Sequence, residues 1–151
     1  MTKIKYGRKR KLIDRGWRRW FLKWKCRKVS IKKGYEIGQA LIAMAQHCAV
    51  HHRMGCLGLA ANQLGIRKRV FVAKRRNTFR IYVNPEILEG YQKYEVVEHC
   101  LSWPDNPNGF KVTRYKTILI NASNLENPML LKGLDAQIFQ HEMDHLNGVM
   151  V

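Results

Sequence analysis

Residues 133–148 read GLDAQIFQHEMDHLNG, and the fold turns on them. Leu134, Ile138, His141, Glu142, His145 and Leu146 follow helical spacing, which predicts a helix from Gly133 with Asn147-Gly148 as its stop. On that helix His141 and His145 stand four residues apart and share one face, about one turn from each other. Two imidazoles so placed can reach one metal ion. Glu142, next to the first, can reach a water activated there and take its proton. Leu134 and Ile138 precede His141 by seven and three positions, which sets an apolar patch on the ligand side, as a substrate pocket or a core requires.

Two histidines do not complete a catalytic centre, which keeps three protein ligands and one position for water. The residues after His145 offer no candidate, so the third ligand comes from upstream: Cys100, Glu98, His99, or the group His47, His51 and His52. Cys100 suits the chemistry best, because a thiolate binds divalent metals strongly. The three histidines at 47–52 read as surface or capping residues on an amphipathic helix over residues 35–53, whose apolar face is Ile37, Leu41, Ala45 and Cys48 and which Gly34 precedes.

Between these helices the pattern is extended. Residues 55–65 (GCLGLAANQLG) read as a tight, glycine-punctuated loop. Arg69–Ala73 and Arg80–Val83 read as strands around a basic turn at Lys74–Asn77. Residues 91–103 form another extended stretch with Cys100 near its end, and Lys111–Arg114 and Thr117–Ala122 follow as two more strands. Strands followed by one late helix predict an α+β domain.

The net charge of +17 is unevenly placed: residues 1–33 hold 15 Lys or Arg and one acid, Asp14. The chain therefore divides into a basic N-terminal arm, residues 1–25, and one domain, residues 26–151. Ile13, Trp17, Trp20, Phe21 and Trp24 recur along the arm at helical spacing. This stripe packs on the domain, or meets RNA, a ribosome or an anionic membrane surface through charge and stacking, or belongs to a mitochondrial or plastid transit peptide, a reading ranked lower because the segment is acid-poor and Arg-rich but not Ser-rich. No apolar run is long enough to span a membrane and no secretion signal is visible. Four cysteines without framework spacing then read as reduced thiols in a cytoplasm-like compartment.

Three segments together resemble the motifs of peptide deformylases: CLGLAANQ (Cys56–Gln63), EHCLS (Glu98–Ser102) and QHEMDH (Gln140–His145), in the order and approximate spacing of that family. Cys56 and His99 depart from it, each replacing a glycine. The family's short forms, without a C-terminal extension, are similar to phage-encoded members. The resemblance implies a deformylase-like fold, small antiparallel sheets around the C-terminal helix. It implies one divalent metal, Fe2+ before Zn2+ or Ni2+, on Cys100, His141 and His145, with Glu142 as acid/base. Gln63 and the Leu101 N–H would hold the oxyanion. Gly58 would let a peptide pair with the backbone, and Leu57, Leu134 and Ile138 would form the methionine pocket. Glu98 with Arg114 is implied as a supporting ion pair, and Asp144 as a group orienting the helix or a ligand. The substrate would be an N-formylmethionyl peptide, the products formate and a free N-terminus, the setting a bacterial or phage-infected cytoplasm, and the ribosome a partner of the arm. Two other readings compete: a different metallopeptidase that has no need of Cys100, and a non-enzymatic RNA- or ribosome-binding module built on the arm.

Overall fold

Side chains of a strand point alternately to its two faces. In β2 (Val70–Arg75), Val70 and Val72 thus face one way and Phe71 and Ala73 the other, and all four are buried. A sheet apolar on both sides needs a covering layer on each. The computed structural model of the chain, which describes residues 11–14, 16–51 and 55–151 (the Trp17 side chain excepted), shows those layers.

β1 (Gly58–Ala60), β2 and β3 (Thr78–Val83) form an antiparallel sheet in that order, with β1 at an edge. Helix α1 (Ile31–His51) lays Ile37, Leu41, Ala45 and Cys48 on the Val70/Val72 face. Helix α2 (Gly133–Asn147) covers the opposite face. There Phe71, Tyr82 and Phe139 pack as a triangle of rings with centroids 4.9–5.2 Å apart. A second antiparallel sheet, β4 (Glu86–Glu98), β5 (Phe110–Asn121) and β6 (Met129–Lys132), sets Ile118, Ile120 and Leu131 in the same core from the other side of α2. The C-terminal helix therefore runs between two small antiparallel sheets, the α+β arrangement expected from the sequence. It ends as its sequence predicts: Gly148 takes the left-handed conformation (φ 75°) and caps the last carbonyls.

Several boundaries differ from the sequence reading. α1 starts at Ile31, where Ser30 Oγ accepts the Lys33 N–H (3.4 Å), so Gly34 lies inside the helix and brings its backbone against Val83. Residues 52 and 53 of the expected helix lie outside the described residues. The extended stretch placed at 91–103 is β4, which begins at Glu86 and stops before Cys100. Lys111–Arg114 and the expected strand from Thr117 belong to one strand, β5, which ends at Asn121, one residue before the expected Ala122, because no turn residue separates them and pairing with β4 runs through Tyr115. Within 55–65 the loop contains β1 and a 3-10 turn, Ala61–Leu64.

The aromatic stripe is also redistributed. Residues Gly16–Lys23 form a 3-10 helix, whose tighter period turns a different side inward. Ile13 and Leu22 are the buried residues (3% and 2% exposed), while Trp20 is 60% exposed and packs edge-on against Trp24.

Candidate metal centre

Three elements converge on one point. α2 contributes His141, Glu142 and His145. The turn after β4, closed by the Trp103 N–H on Cys100 O (2.9 Å), contributes Cys100. The 3-10 turn after β1 contributes Gln63. Donor atoms of Cys100, His141 and His145 all lie within 4.8 Å of one another, and Cys100 Sγ is 3.3 Å from His145 Nε2. Among the described residues this is the one such cluster of three or more His, Cys, Asp or Glu. The other candidate ligands lie elsewhere: His47 and His51 stack on the exposed side of α1 with centroids 4.3 Å apart, and His99 is exposed at the cleft rim. His52 lies outside the described residues.

Glu98 stands behind the cluster. Its Oε2 lies 2.9 Å from His141 Nδ1, which fixes the ring and leaves the other nitrogen for the site. Arg114 grips the same carboxylate twice, Nε to Oε1 at 3.0 Å and Nη2 to Oε2 at 2.6 Å, and donates from Nη1 to Asp144 Oδ2 at 2.6 Å. The implied Glu98–Arg114 pair thus exists, and Asp144 ties α2 to it. Burial works to raise the Glu98 carboxyl, but Arg114 and then His141 outweigh it and hold it at about 2.

Glu142 is buried, and burial pushes its carboxyl up to about 7. Its Oε2 has no hydrogen-bond partner among the described residues, an unusual state for a buried oxygen. Its Oε1 rests on Gly58: a Cβ at that position would collide with it. Gln63 is clamped by the Ala60 N–H on Oε1 (2.9 Å), while its Nε2 donates to Ser102 Oγ (3.0 Å) and points at Cys100 Sγ (3.8 Å).

The charges here fit a bound cation. Burial holds His145 well below its ordinary range, in the neutral form that ligates. At His141 burial also acts downward, yet hydrogen bonds to Cys100 and Glu98 raise it to about 10. Acceptors on both sides of the His141 ring thus favour positive charge there. One sulfur and two imidazoles are a donor set for Fe, Zn or Ni, and Glu142 lines the cleft beside Cys100 and His141.

A cleft of about 270 Å³ opens on this cluster. Leu57, Gly58, Gln63, Leu101, Leu134, Ile138 and Glu142 all line it. Ile138 is buried at its floor, whereas Leu57 and Leu134 are 45% and 57% exposed and form its rim. Of the two departures from the family pattern, Cys56 turns its thiol onto Gly58 O (3.3 Å) and is buried, while His99 stays at the rim. Three supporting residues escaped the sequence reading. Ser102 links Gln63 to the cysteine turn, and its own N–H points at Cys100 Sγ (3.4 Å). Asn62 donates to His145 O (2.6 Å). Gln140 spans the Tyr115 backbone, accepting from its N–H and donating to its carbonyl, both at 2.9 Å. All three lie within the quoted motifs, and Asn62 alone stood out there as a polar residue in an apolar run.

Hydrolytic metal centres are built in this way, with an acid beside the donors and a cleft on the open side. Comparison with known proteins narrows the class. The family model for polypeptide deformylase matches residues 15–151. A peptide deformylase of Clostridium beijerinckii is 39% identical over 100 residues, which span 64% of this chain and 71% of that protein; the aligned share falls to 59% for a Thermotoga neapolitana homologue. The crystal structure of the Thermotoga maritima peptide deformylase superposes with a TM-score of 0.78 at 30% identity, covering 93% of both chains. A probable peptide deformylase of Synechococcus phage S-SSM7 gives 0.74 at 31% identity, covering 93% and 96%. The chain belongs to the polypeptide deformylase family. It is a metal-dependent hydrolase that removes N-formyl groups, and the metallopeptidase and RNA-module readings are not favoured.

Proposed function

We propose that the chain deformylates the initiator methionine of nascent peptides, with Cys100, His141 and His145 as metal ligands and Glu142 as acid/base. The single observation that carries this is the convergence of the three donor atoms within 4.8 Å beside a buried carboxylate oxygen that has no protein partner.

A divalent ion on that triad, Fe2+ as the family resemblance implies or else Zn2+ or Ni2+, would supply Lewis acidity and a water acidified toward neutrality. Glu142, with its carboxyl near 7, accepts the proton of the attacking water and passes it to the departing amine as the C–N bond of the formamide breaks. Gln63 Nε2 and the Leu101 N–H hold the negative charge that develops on the formyl oxygen. Ser102 and the Ala60 N–H hold Gln63 to that task. Gly58 leaves room for Glu142 and for an extended peptide along the edge of β1. Ile138 at the floor, with Leu57 and Leu134 at the rim, receives the methionine side chain.

The basic arm and its exposed Trp20–Trp24 pair suit contact with ribosomal RNA, where nascent chains emerge. No helix among the described residues is long and apolar enough to cross a membrane, and the four cysteines are free. We place the enzyme in the cytoplasm of a bacterial or phage-infected cell, where such thiols stay reduced.

The test is formate release from a formyl-Met-Ala-Ser peptide by anaerobically prepared, metal-loaded protein, beside Glu142→Ala and Cys100→Ser. Loss of activity in both, with metal retained in Glu142→Ala, supports the assigned roles. Release that persists in either variant refutes the corresponding role.

A further inference from the structure

The segment that precedes α1 touches all three parts of the site. Ile13 N–H donates to Gln63 O (2.8 Å). Cys26 N–H donates to Leu146 O (2.9 Å), and Gly148, at the end of α2, packs so closely under Lys23 O that a Cβ would collide with it. Between these two anchors, Arg19 reaches the loop behind the metal cysteine. Its terminal nitrogens donate to both carboxylate oxygens of Asp105 (3.1 and 2.7 Å), and one also donates to Asp14 O. The guanidinium lies 4.4 Å from the ring centroid of Trp103. Trp103 is the residue whose N–H closes the turn on Cys100 O.

A single exposed ion pair holds a loop weakly. Arg19 differs in three ways. It makes a two-bond fork, which fixes direction as well as distance. It stacks on an aromatic face. Its side chain is only 14% exposed, although that of Asp105 is 67% exposed. The fork also holds the Asp105 carboxyl below its usual range, so the partner stays charged.

We propose that Arg19 is a positioning residue: from a strap outside the three motifs it pins the Cys100–Asp105 loop and sets where the cysteine sulfur stands relative to His145. The proposal rests on Cys100 being a metal ligand. Ligand atoms must stand within a few tenths of an ångström of their places for tight binding, and the Arg19 fork adds an anchor at Asp105 to the one that Ser102 makes with Gln63. The strap thereby fixes the spacing of Gln63, Cys100 and the α2 ligands from one continuous stretch of chain.

The experiment uses the full chain loaded with Co2+, reading the sulfur-to-cobalt charge-transfer absorption, Co2+ retention against a chelator, and kcat and KM on formyl-Met-Ala-Ser. Arg19→Ala should shift the absorption, weaken Co2+ retention on the order of tenfold and lower kcat with KM little changed. Arg19→Lys, which keeps the charge but not the fork, should restore only part of each. Asp105→Asn should reproduce Arg19→Ala, and the double variant should be no worse than either single. Should Arg19→Ala fail to fold, Asp105→Asn alters an exposed side chain and gives the same readings. A lowered melting temperature in either variant, with absorption, retention and kcat as in the parent, overturns the proposal. Cys100→Ser separates the two levels. If it too leaves the cobalt absorption unchanged, the ligand assignment fails; if it abolishes the band while the Arg19 and Asp105 variants keep it, only the positioning role fails.

Discussion

Arg114→Ala removes the residue that joins the Glu98 carboxylate to helix α2. Three charge-assisted hydrogen bonds go with it, at 3.0, 2.6 and 2.6 Å. Its side chain and that of Glu98 are each 5% exposed, so water cannot replace those bonds, while Asp144, at 24%, regains part of its hydration. The Glu98 carboxyl, ordinarily near 4.5, is held at about 2. At 1.36 kcal/mol per pH unit that is worth roughly 3 kcal/mol, most of it from Arg114 and the rest from His141. Loss of one partner from a buried pair costs about 3–5 kcal/mol in general, which agrees. A loss of about 3 kcal/mol is therefore expected, or roughly 6–12 °C in melting temperature for a domain of this size. The assay is urea unfolding followed by circular dichroism. It is run with saturating metal and again with chelator, because a bound ion adds its own stabilisation. Salt should not rescue the variant, since the network is buried. A loss under about 1 kcal/mol in both conditions would refute the view that Arg114 holds β5 and α2 together through Glu98 and Asp144.

Gly58→Ala drives a methyl group onto Glu142 Oε1, and should lower kcat on the order of 100-fold with metal content intact, at a stability cost of about 1–2 kcal/mol. Formate release at the parent rate would show that the carboxylate can move aside. Burial pushes the Cys26 thiol from 9.0 up to about 11. The folded chain keeps that proton after the unfolded chain has lost it, so this contribution is complete below pH 9 and falls away as pH rises toward 11, by roughly 2–3 kcal/mol. Urea midpoints measured across that window should decline less steeply in Cys26→Ala; an unchanged slope removes the assignment. For the arm, deleting residues 1–10, which hold five of the 15 basic residues of the N-terminal segment, should weaken ribosome binding and flatten its salt dependence. Sedimentation with ribosomes at several salt concentrations measures both, and salt-insensitive binding by the parent chain speaks against an RNA contact.

The parts of this molecule that were legible in the sequence are those governed by local rules. Helix α2 declared itself because its period, its histidine pair and its glycine stop all lie within residues 133–148. The strand pair β2–β3 was readable from its β-branched and aromatic runs. Cys100 was not fixed by spacing, because nothing near it in the chain says that a turn after β4 brings it 3.3 Å from His145. Its choice among several upstream candidates came from thiolate chemistry and the family resemblance. The strap was legible only in part, for a different reason. Its charge drew attention to solvent and its tryptophans to an aromatic stripe, yet the 3-10 period of Gly16–Lys23 buries Leu22 and leaves Trp20 outside, while Ile13, ahead of that helix, is buried as well. Likewise β5 looked like two strands until the pairing partner was known, since only β4 and the Gln140 side chain show that Tyr115 is mid-strand.

The edge position of β1 bears on which proteins such an enzyme can process. A chain that docks against an edge strand presents its amides and carbonyls, which every residue but proline carries in the same places. Side chains beyond the first then alternate between the cleft rim and solvent, where Leu57 and Leu134 offer contact without enclosure. On the docking proposed above, discrimination falls on the one residue that enters the floor at Ile138. A site of this shape imposes a common entry requirement and is otherwise indifferent to what a gene encodes next, so a single copy can serve a whole proteome of unrelated N-termini.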